Sequence, residues 1–180
     1  ASFFVSRVDT ETEKRLDALV AANPSRAEEA KAFRGRIAVA NAKLAYALFR
    51  ERFSGARWEK LAARGARVQR PLWASTSTKN PAYRDVLYVE DLIGPDTVNT
   101  MPPATITAFA DHGTVERTVD LGLEQERALV ARLETAGISL ADVTDALLRD
   151  GLASFARSFD SLIAGLEAKR RTLDATVAAR

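Results

Sequence analysis

The order of strand-like and helix-like segments constrains the fold of this chain more than any other feature. Three short apolar segments, residues 3–8, 68–74 and 97–101, have the composition of β-strands. Longer stretches with helical periodicity separate them. Strands that alternate with helices in this way are typical of a parallel sheet with crossover helices. The sequence therefore predicts the α/β fold class.

Two amphipathic helices are indicated by the spacing of their apolar residues. One apolar stripe with the period of an α-helix begins at Ile37 and runs to Phe49. A longer terminal helix is expected after Gly151, which we interpret as a break that separates it from a shorter helix. We expect the apolar face of this terminal helix to pack against the rest of the protein. That face is formed by Leu152, Phe155, Phe159, Leu162, Leu166, Leu173 and Val177.

The composition is that of a soluble globular protein, with 47% hydrophobic and 28% charged residues. There is no cysteine, which excludes disulfides and thiolate metal sites and fits a reducing compartment. His112 is the only histidine, so a metal site built from several histidines is excluded as well. No apolar run approaches the roughly 20 residues that a membrane-spanning helix needs. We therefore expect a cytoplasmic protein with no metal and no membrane partner.

The charge distribution argues against a nucleic-acid partner. The 26 Lys and Arg residues are nearly balanced by 24 Asp and Glu residues, which leaves a net charge of +2. The cations are scattered along the helical segments, whereas a nucleic-acid interface would gather them on one face among aromatic residues. Nucleic-acid binding is therefore a weak hypothesis for this chain.

The chain opens on an apolar run, Ala1-Ser2-Phe3-Phe4-Val5, without an initiator methionine. The first residues of most mature proteins are polar and poorly ordered. We expect that Ala1 lies inside a β-strand of a longer protein; a processed N-terminus is the alternative.

The residues that follow the second predicted strand have the chemistry of an anion site. Four hydroxyl residues, 75–78, are followed by Lys79, and Asn80 with Pro81 is expected to begin a helix. Ligands of parallel α/β proteins bind at the carboxyl ends of the strands. Hydroxyls, free backbone N–H groups and a helix N-terminus would all favour a phosphate there. The alternative interpretation is an ordinary turn rich in Ser and Thr.

The first predicted strand ends in a similar way. Arg7 falls at or just past its end, where the planar guanidinium suits a phosphate. Ser2 and Phe4 lie on one side of the strand, because side chains alternate along it. The alternative for Arg7 is a surface ion pair with Asp9 or with an acidic residue of a helix. Two strand ends of this chain carry a cation. Together they favour a phosphate site more strongly than either strand end does alone.

Three stretches of the sequence resemble the transaldolases of the actinobacterial type. They are ASFFVSRVD at residues 1–9, QRPLWASTSTKNP at 69–81 and YVEDLIGPDTVNTMP at 88–102. The resemblance extends over essentially the whole chain. It implies a (β/α)₈ TIM barrel, with its strands six to eight in residues 1–113 and a C-terminal helical extension in residues 114–180.

The resemblance also implies a reaction. Transaldolases transfer a dihydroxyacetone unit between a ketose phosphate and an aldose phosphate in the pentose phosphate pathway. They do so through a Schiff base on a lysine, with no metal or organic cofactor. The resemblance assigns catalytic positions to Ser2 and Phe4, and phosphate-binding positions to Arg7, Ser75, Ser77 and Lys79.

The same resemblance implies that the Schiff-base lysine and the acid/base carboxylates lie upstream of residue 1. The lysines of this chain other than Lys79 fall in charge-rich helical stretches, where the amine is expected to stay protonated. We therefore predict that the chain alone is inactive. Its partners would be sugar phosphates and, to cover the open edges of the sheet, the missing N-terminal half or a second copy. The alternative function is a non-catalytic helical interaction or regulatory module.

Overall fold

The structure is a computed structural model that describes residues 1–178, with side chains up to residue 174. It divides into two units, residues 1–143 and the residues from 144 onward. None of the helices that it describes has the length and apolarity that crossing a membrane requires. In chain order the elements are β1 (Ser2–Phe4), α1 (Val5–Ala22), a 3₁₀ helix (Pro24–Arg26), α2 (Ala27–Lys31), α3 (Ile37–Arg52), α4 (Gly55–Ala62), β2 (Leu72–Ala74), α5 (Leu87–Glu90), β3 (Val98–Asn99), α6 (Pro103–His112), α7 (Leu123–Thr135) and α8 (Leu140–Ala178).

The three strands form a parallel sheet in the order β1-β2-β3. The register pairs Phe4 with Ala74, and Trp73 with Asn99. Because the strands are parallel and lie side by side, their carboxyl ends meet at one edge of the sheet. The predicted α/β class is confirmed for the part of the chain that the structure describes.

All three strands are shorter than the sequence predicts. The first was expected to run to Val8, but it ends at Phe4, and Val5 begins α1. Val5, Val8 and Leu16 are buried at helical spacing, so a helix buries this apolar run better than a strand would. The second strand begins only at Leu72, because the preceding Pro71 has no N–H to donate.

The core of the first unit lies between the sheet and a layer of helices in which α3 packs against α1 and α7. Leu16, Ile37 and Leu133 are fully buried in this layer. On the sheet, Trp73 is also fully buried, and its indole N–H donates to the carbonyl of Leu92 at 3.1 Å. These contacts fix the sheet against its crossover segments and so determine where the strand ends lie.

A buried carboxylate joins three helices of this unit. One oxygen of Asp9 in α1 accepts the backbone N–H of Ala38 in α3 at 2.8 Å. The other accepts the hydroxyl of Tyr88 in α5, also at 2.8 Å. Burial raises the pKa of Asp9 to about 6, although both hydrogen bonds favour the charged form. Asp9 therefore ties the first crossover helix to its neighbours.

The second unit is the greater part of α8, and the break predicted within it is wrong. Gly151 does not interrupt the helix, which runs from Leu140 to Ala178. A helix tolerates a single glycine at a cost of about 1 kcal/mol, and no turn residues follow this one. The helix also carries the predicted apolar residues Leu152, Phe155, Phe159, Leu162, Leu166 and Leu173, which are 55–75% exposed. What this face packs against stays a prediction. The side chain of Val177, predicted on the same face, lies outside the described side chains.

Candidate functional site

The carboxyl ends of β1 and β2 are held together by a backbone hydrogen bond. The N–H of Ser6, in the first turn of α1, donates to the carbonyl of Ser75 at 3.0 Å. Ser75 follows β2 directly and has a left-handed backbone with φ of +55°. The first turn of α1 and the segment after β2 are therefore neighbours. Together they carry the residues that we name the candidate phosphate site: Arg7, Ser75, Ser77 and Lys79.

Arg7 lies in the first turn of α1, three residues past the end of β1. Its side chain is exposed, and its guanidinium lies 5.1 Å from the ring centroid of Phe4. The predicted alternative, an ion pair with Asp9, is wrong, because Asp9 is buried and bonded to Ala38 and Tyr88. Within the described side chains, no carboxylate pairs with Arg7. Its donors are thus available to an anion near a helix N-terminus.

Ser2 and Phe4 occupy the two ends of β1 and share one face of it. Both are exposed, Phe4 by 46%, while Phe3 between them contacts Trp73 edge-to-face at 6.1 Å. The expected alternation of side chains along this strand is therefore present. Ser2 and Phe4 point away from the buried tryptophan, and Phe4 supplies the surface on which Arg7 rests.

The segment after β2 presents a cation without a helix N-terminus behind it. Lys79 is exposed, and its ammonium donates to the hydroxyl of Ser77 at 3.0 Å. The helix predicted to begin at Asn80 is absent: the Asn80 side chain accepts the N–H of Ala82 at 3.0 Å and forms a turn. An Asn side chain that bonds the backbone two residues on competes with a helix. The positive potential here therefore comes from Lys79 and not from a helix dipole.

Asn99 and Thr100, at the end of β3, support this segment and were not singled out from the sequence. Thr76 is completely buried, and its hydroxyl donates to the side-chain oxygen of Asn99 at 2.8 Å. Thr100, the next residue, donates its backbone N–H to the carbonyl of Trp73 at 2.9 Å. Asn99 and Thr100 stand at the end of the third strand, so the rule that drew attention to residues 75–79 also applies to them.

A cavity of about 220 Å³ lies between α1 and the segment 79–88, with Lys79 on its wall. Glu13 in α1 accepts the hydroxyl of Tyr83. Burial, and the contact with Glu13, raise the pKa of Tyr83 above its usual value, so this phenol stays a donor. No group of acidic or histidine side chains in the described part of the chain is arranged to hold a metal ion.

Lys43 differs from the other lysines of the chain because it is buried. Only 8% of the residue is exposed. Its ammonium donates to the carbonyl of Leu121 at 3.3 Å and lies 3.6 Å from a carboxylate oxygen of Glu126. This hydrogen bond and this ion pair engage the amine, so Lys43 does not present a free nucleophile.

The sheet is parallel, helices connect its strands, and polar residues lie beyond two adjacent strand ends. In α/β proteins of this class, ligands bind at the edge of the sheet where the strands end. The sequence model of the family described as Transaldolase/Fructose-6-phosphate aldolase matches residues 1–166. The chain belongs to this family. Membership implies a TIM barrel, of which three parallel strands are described here.

Curated relatives carry the name transaldolase. The chain is 51% identical to the transaldolase of Thermobifida fusca over 164 residues, which are 91% of this chain and 43% of that protein. It is 50% identical to transaldolase 1 of Streptomyces coelicolor over 167 residues, 92% of this chain and 42% of the relative. With transaldolase 2 of Nostoc the values are 46% over 178 residues, 96% and 47%. The chain therefore spans less than half the length of these relatives.

Proposed function

We propose that this chain forms the phosphate-binding part of a transaldolase, which transfers a dihydroxyacetone unit between sugar phosphates. The observation that carries the proposal is the junction of Ser6 and Ser75, which brings the first turn of α1 beside the segment after β2. These two stretches carry Arg7 and Lys79, both exposed, and the hydroxyls of Ser75 and Ser77. Family membership supports the reaction class.

In this proposal β1, β2 and β3 are strands six to eight of the barrel. Each outer strand pairs only with β2 in the described residues, so the edges of β1 and β3 are free for further strands. The rest of the barrel would supply those strands, as the greater length of the relatives suggests. The helices after residue 113 would form the C-terminal extension.

The chemistry divides between this chain and the rest of the barrel. A lysine outside the chain would form the Schiff base, and the iminium would accept the electron pair released when the C–C bond breaks. Here, Arg7 would hold the phosphate through its planar fork and Lys79 through its point charge. Ser75 and Ser77 would donate hydrogen bonds to it. Ser2 and Phe4 would line the pocket beside the reacting carbons.

The substrate class follows from the same assignment. A ketose phosphate such as fructose 6-phosphate would be the donor and an aldose phosphate the acceptor, which gives the protein a place in the pentose phosphate pathway in the cytoplasm. The described residues would provide the phosphate ligands and contacts for the sugar. The reaction that we propose uses no organic cofactor and no metal.

Activity tests this division directly. The complete gene product, with any residues encoded before Ala1, should transfer dihydroxyacetone from fructose 6-phosphate to an aldose phosphate. The 180-residue chain by itself should show no transfer, because its buried Lys43 is charge-paired and its other lysines are solvated. A coupled assay of aldose phosphate release measures both.

Two outcomes would contradict the proposal. Transfer by the isolated chain would show that the reactive lysine lies within it. A complete gene product that neither transfers dihydroxyacetone nor binds sugar phosphates would favour the non-catalytic interaction module instead. If the isolated chain does show transfer, trapping the Schiff base with borohydride and mass spectrometry would identify the reactive lysine.

A further inference from the structure

The segment after β2 begins in a backbone conformation that needs support. Ser75 has φ of +55°, in the left-handed region, which residues other than glycine seldom adopt. A strained residue persists only where its surroundings hold it. On one side, the carbonyl of Ser75 accepts the N–H of Ser6 at 3.0 Å.

The second support comes from the next residue, Thr76. Its side chain is fully buried, although both neighbours, Ser75 and Ser77, are only partly covered. Its hydroxyl donates to the side-chain oxygen of Asn99 at 2.8 Å, and the carbonyl of Thr100 lies 3.4 Å away. A hydroxyl has one hydrogen, so Asn99 is the principal acceptor. The bond thus joins the segment after β2 to the end of β3.

The anchor on β3 is itself fixed. Thr100 donates its N–H to the carbonyl of Trp73 at 2.9 Å and its hydroxyl to the same oxygen at 3.1 Å. Trp73 is the fully buried centre of β2. Asn99 is therefore held at a set distance from β2, and through it Thr76 is held as well.

We infer that Thr76 is a positioning residue for phosphate binding, an inference that rests on the function proposed above. Thr76 lies between the two serines of the candidate phosphate site, so its anchored side chain holds the backbone from which both serines project. The effect extends to Lys79, whose ammonium bonds the hydroxyl of Ser77 at 3.0 Å. Thr76 contacts no ligand itself; it acts through Ser75, Ser77 and Lys79.

The test replaces Thr76 with valine in the complete gene product and measures the affinity for inorganic phosphate by isothermal titration. Valine keeps the shape and removes the hydroxyl. We expect binding to weaken about five- to tenfold, as for the loss of one hydrogen bond of ordinary strength. Thr76→Ser retains the hydroxyl and should remain within about twofold of the original.

Thr12→Val is the matched control. Thr12 is as deeply buried, but its hydroxyl has no hydrogen-bond partner among the described residues. This variant should bind phosphate as the original protein does. If Thr76 had only a structural role, Thr76→Val would lower the thermal midpoint while leaving the affinity of the folded protein unchanged.

The outcomes separate this inference from the proposed function on which it rests. Unchanged affinity in folded Thr76→Val overturns this inference and leaves the proposed function standing. Absence of phosphate binding in the original protein overturns the proposed phosphate site and this inference with it. If Thr76→Val does not fold, Asn99→Ala replaces it: weaker binding supports the inference, and unchanged binding overturns it.

Discussion

Replacing Trp73 with alanine is expected to lower the free energy of unfolding by about 3 to 5 kcal/mol. The side chain is fully buried in the middle strand of the sheet. Its removal would leave a cavity, take away the edge-to-face contact with Phe3 and leave the carbonyl of Leu92 without its indole donor. This strand, β2, carries one strand end of the candidate site and pairs with β1, which carries the other.

Urea unfolding followed by circular dichroism measures the loss. The matched control is Trp58→Ala, since Trp58 is the other tryptophan of the chain and is only partly covered in α4. It contacts Phe53 edge-to-face at 4.7 Å, so we expect a smaller cost, about 1 to 2 kcal/mol. Equal losses for the two variants would contradict the assignment of Trp73 to the centre of the core.

The second large effect concerns Asp9 and depends on pH. Burial raises the pKa of this carboxyl from 3.8 to about 6 in the folded protein. The folded state therefore binds the proton more tightly than the unfolded state does. The resulting stabilisation is fully present below about pH 4 and is lost as pH rises through about 6. It amounts to about 2 to 3 kcal/mol.

Asp9→Asn should remove this dependence. The amide oxygen of asparagine can still accept the N–H of Ala38, and its NH₂ group can donate to the hydroxyl of Tyr88. The difference in unfolding free energy between the two proteins should thus change between pH 4 and 7. Asp160→Asn, at an exposed site on α8, is the control and should follow the original protein. If the plots of unfolding free energy against pH are parallel for Asp9→Asn and the original protein, the raised pKa of Asp9 is contradicted.

The sequence predicts the types of the main elements better than their ends. The alternation of strands and helices is enough to predict a parallel sheet, which the structure contains. The end of the first strand was misplaced because Val5 and Val8 suit either element locally. The burial of Leu16 two helical turns further on favours the helix, and a short window does not include it.

The composition of the candidate site was readable from the sequence, whereas its internal support was not. The hydroxyls and Lys79 stand out because they follow a strand. The burial of Thr76 and the left-handed backbone of Ser75 depend on contacts with α1 and β3, which no local pattern encodes. Asp9 illustrates the same limit, since its partners lie 29 and 79 residues away along the chain.

The apolar face of α8 shows a second limit of the sequence, because a clear local pattern predicts the face but not its surroundings. The spacing of Leu152, Phe155 and Phe159 correctly predicts a helix with one apolar side. Periodicity identifies which residues share a face, but it does not tell what covers that face. These side chains are exposed in the structure.

The central claim is that Arg7 and Lys79 bind the phosphate of a sugar phosphate, and one titration tests it most directly. The complete gene product is titrated with fructose 6-phosphate and with fructose, and the double variant Arg7→Ala/Lys79→Ala is treated in the same way. We predict that the original protein prefers the phosphorylated sugar by about 100-fold, as two charge-assisted contacts allow. The double variant should lose most of that preference. A double variant that keeps the full preference for fructose 6-phosphate would contradict the claim.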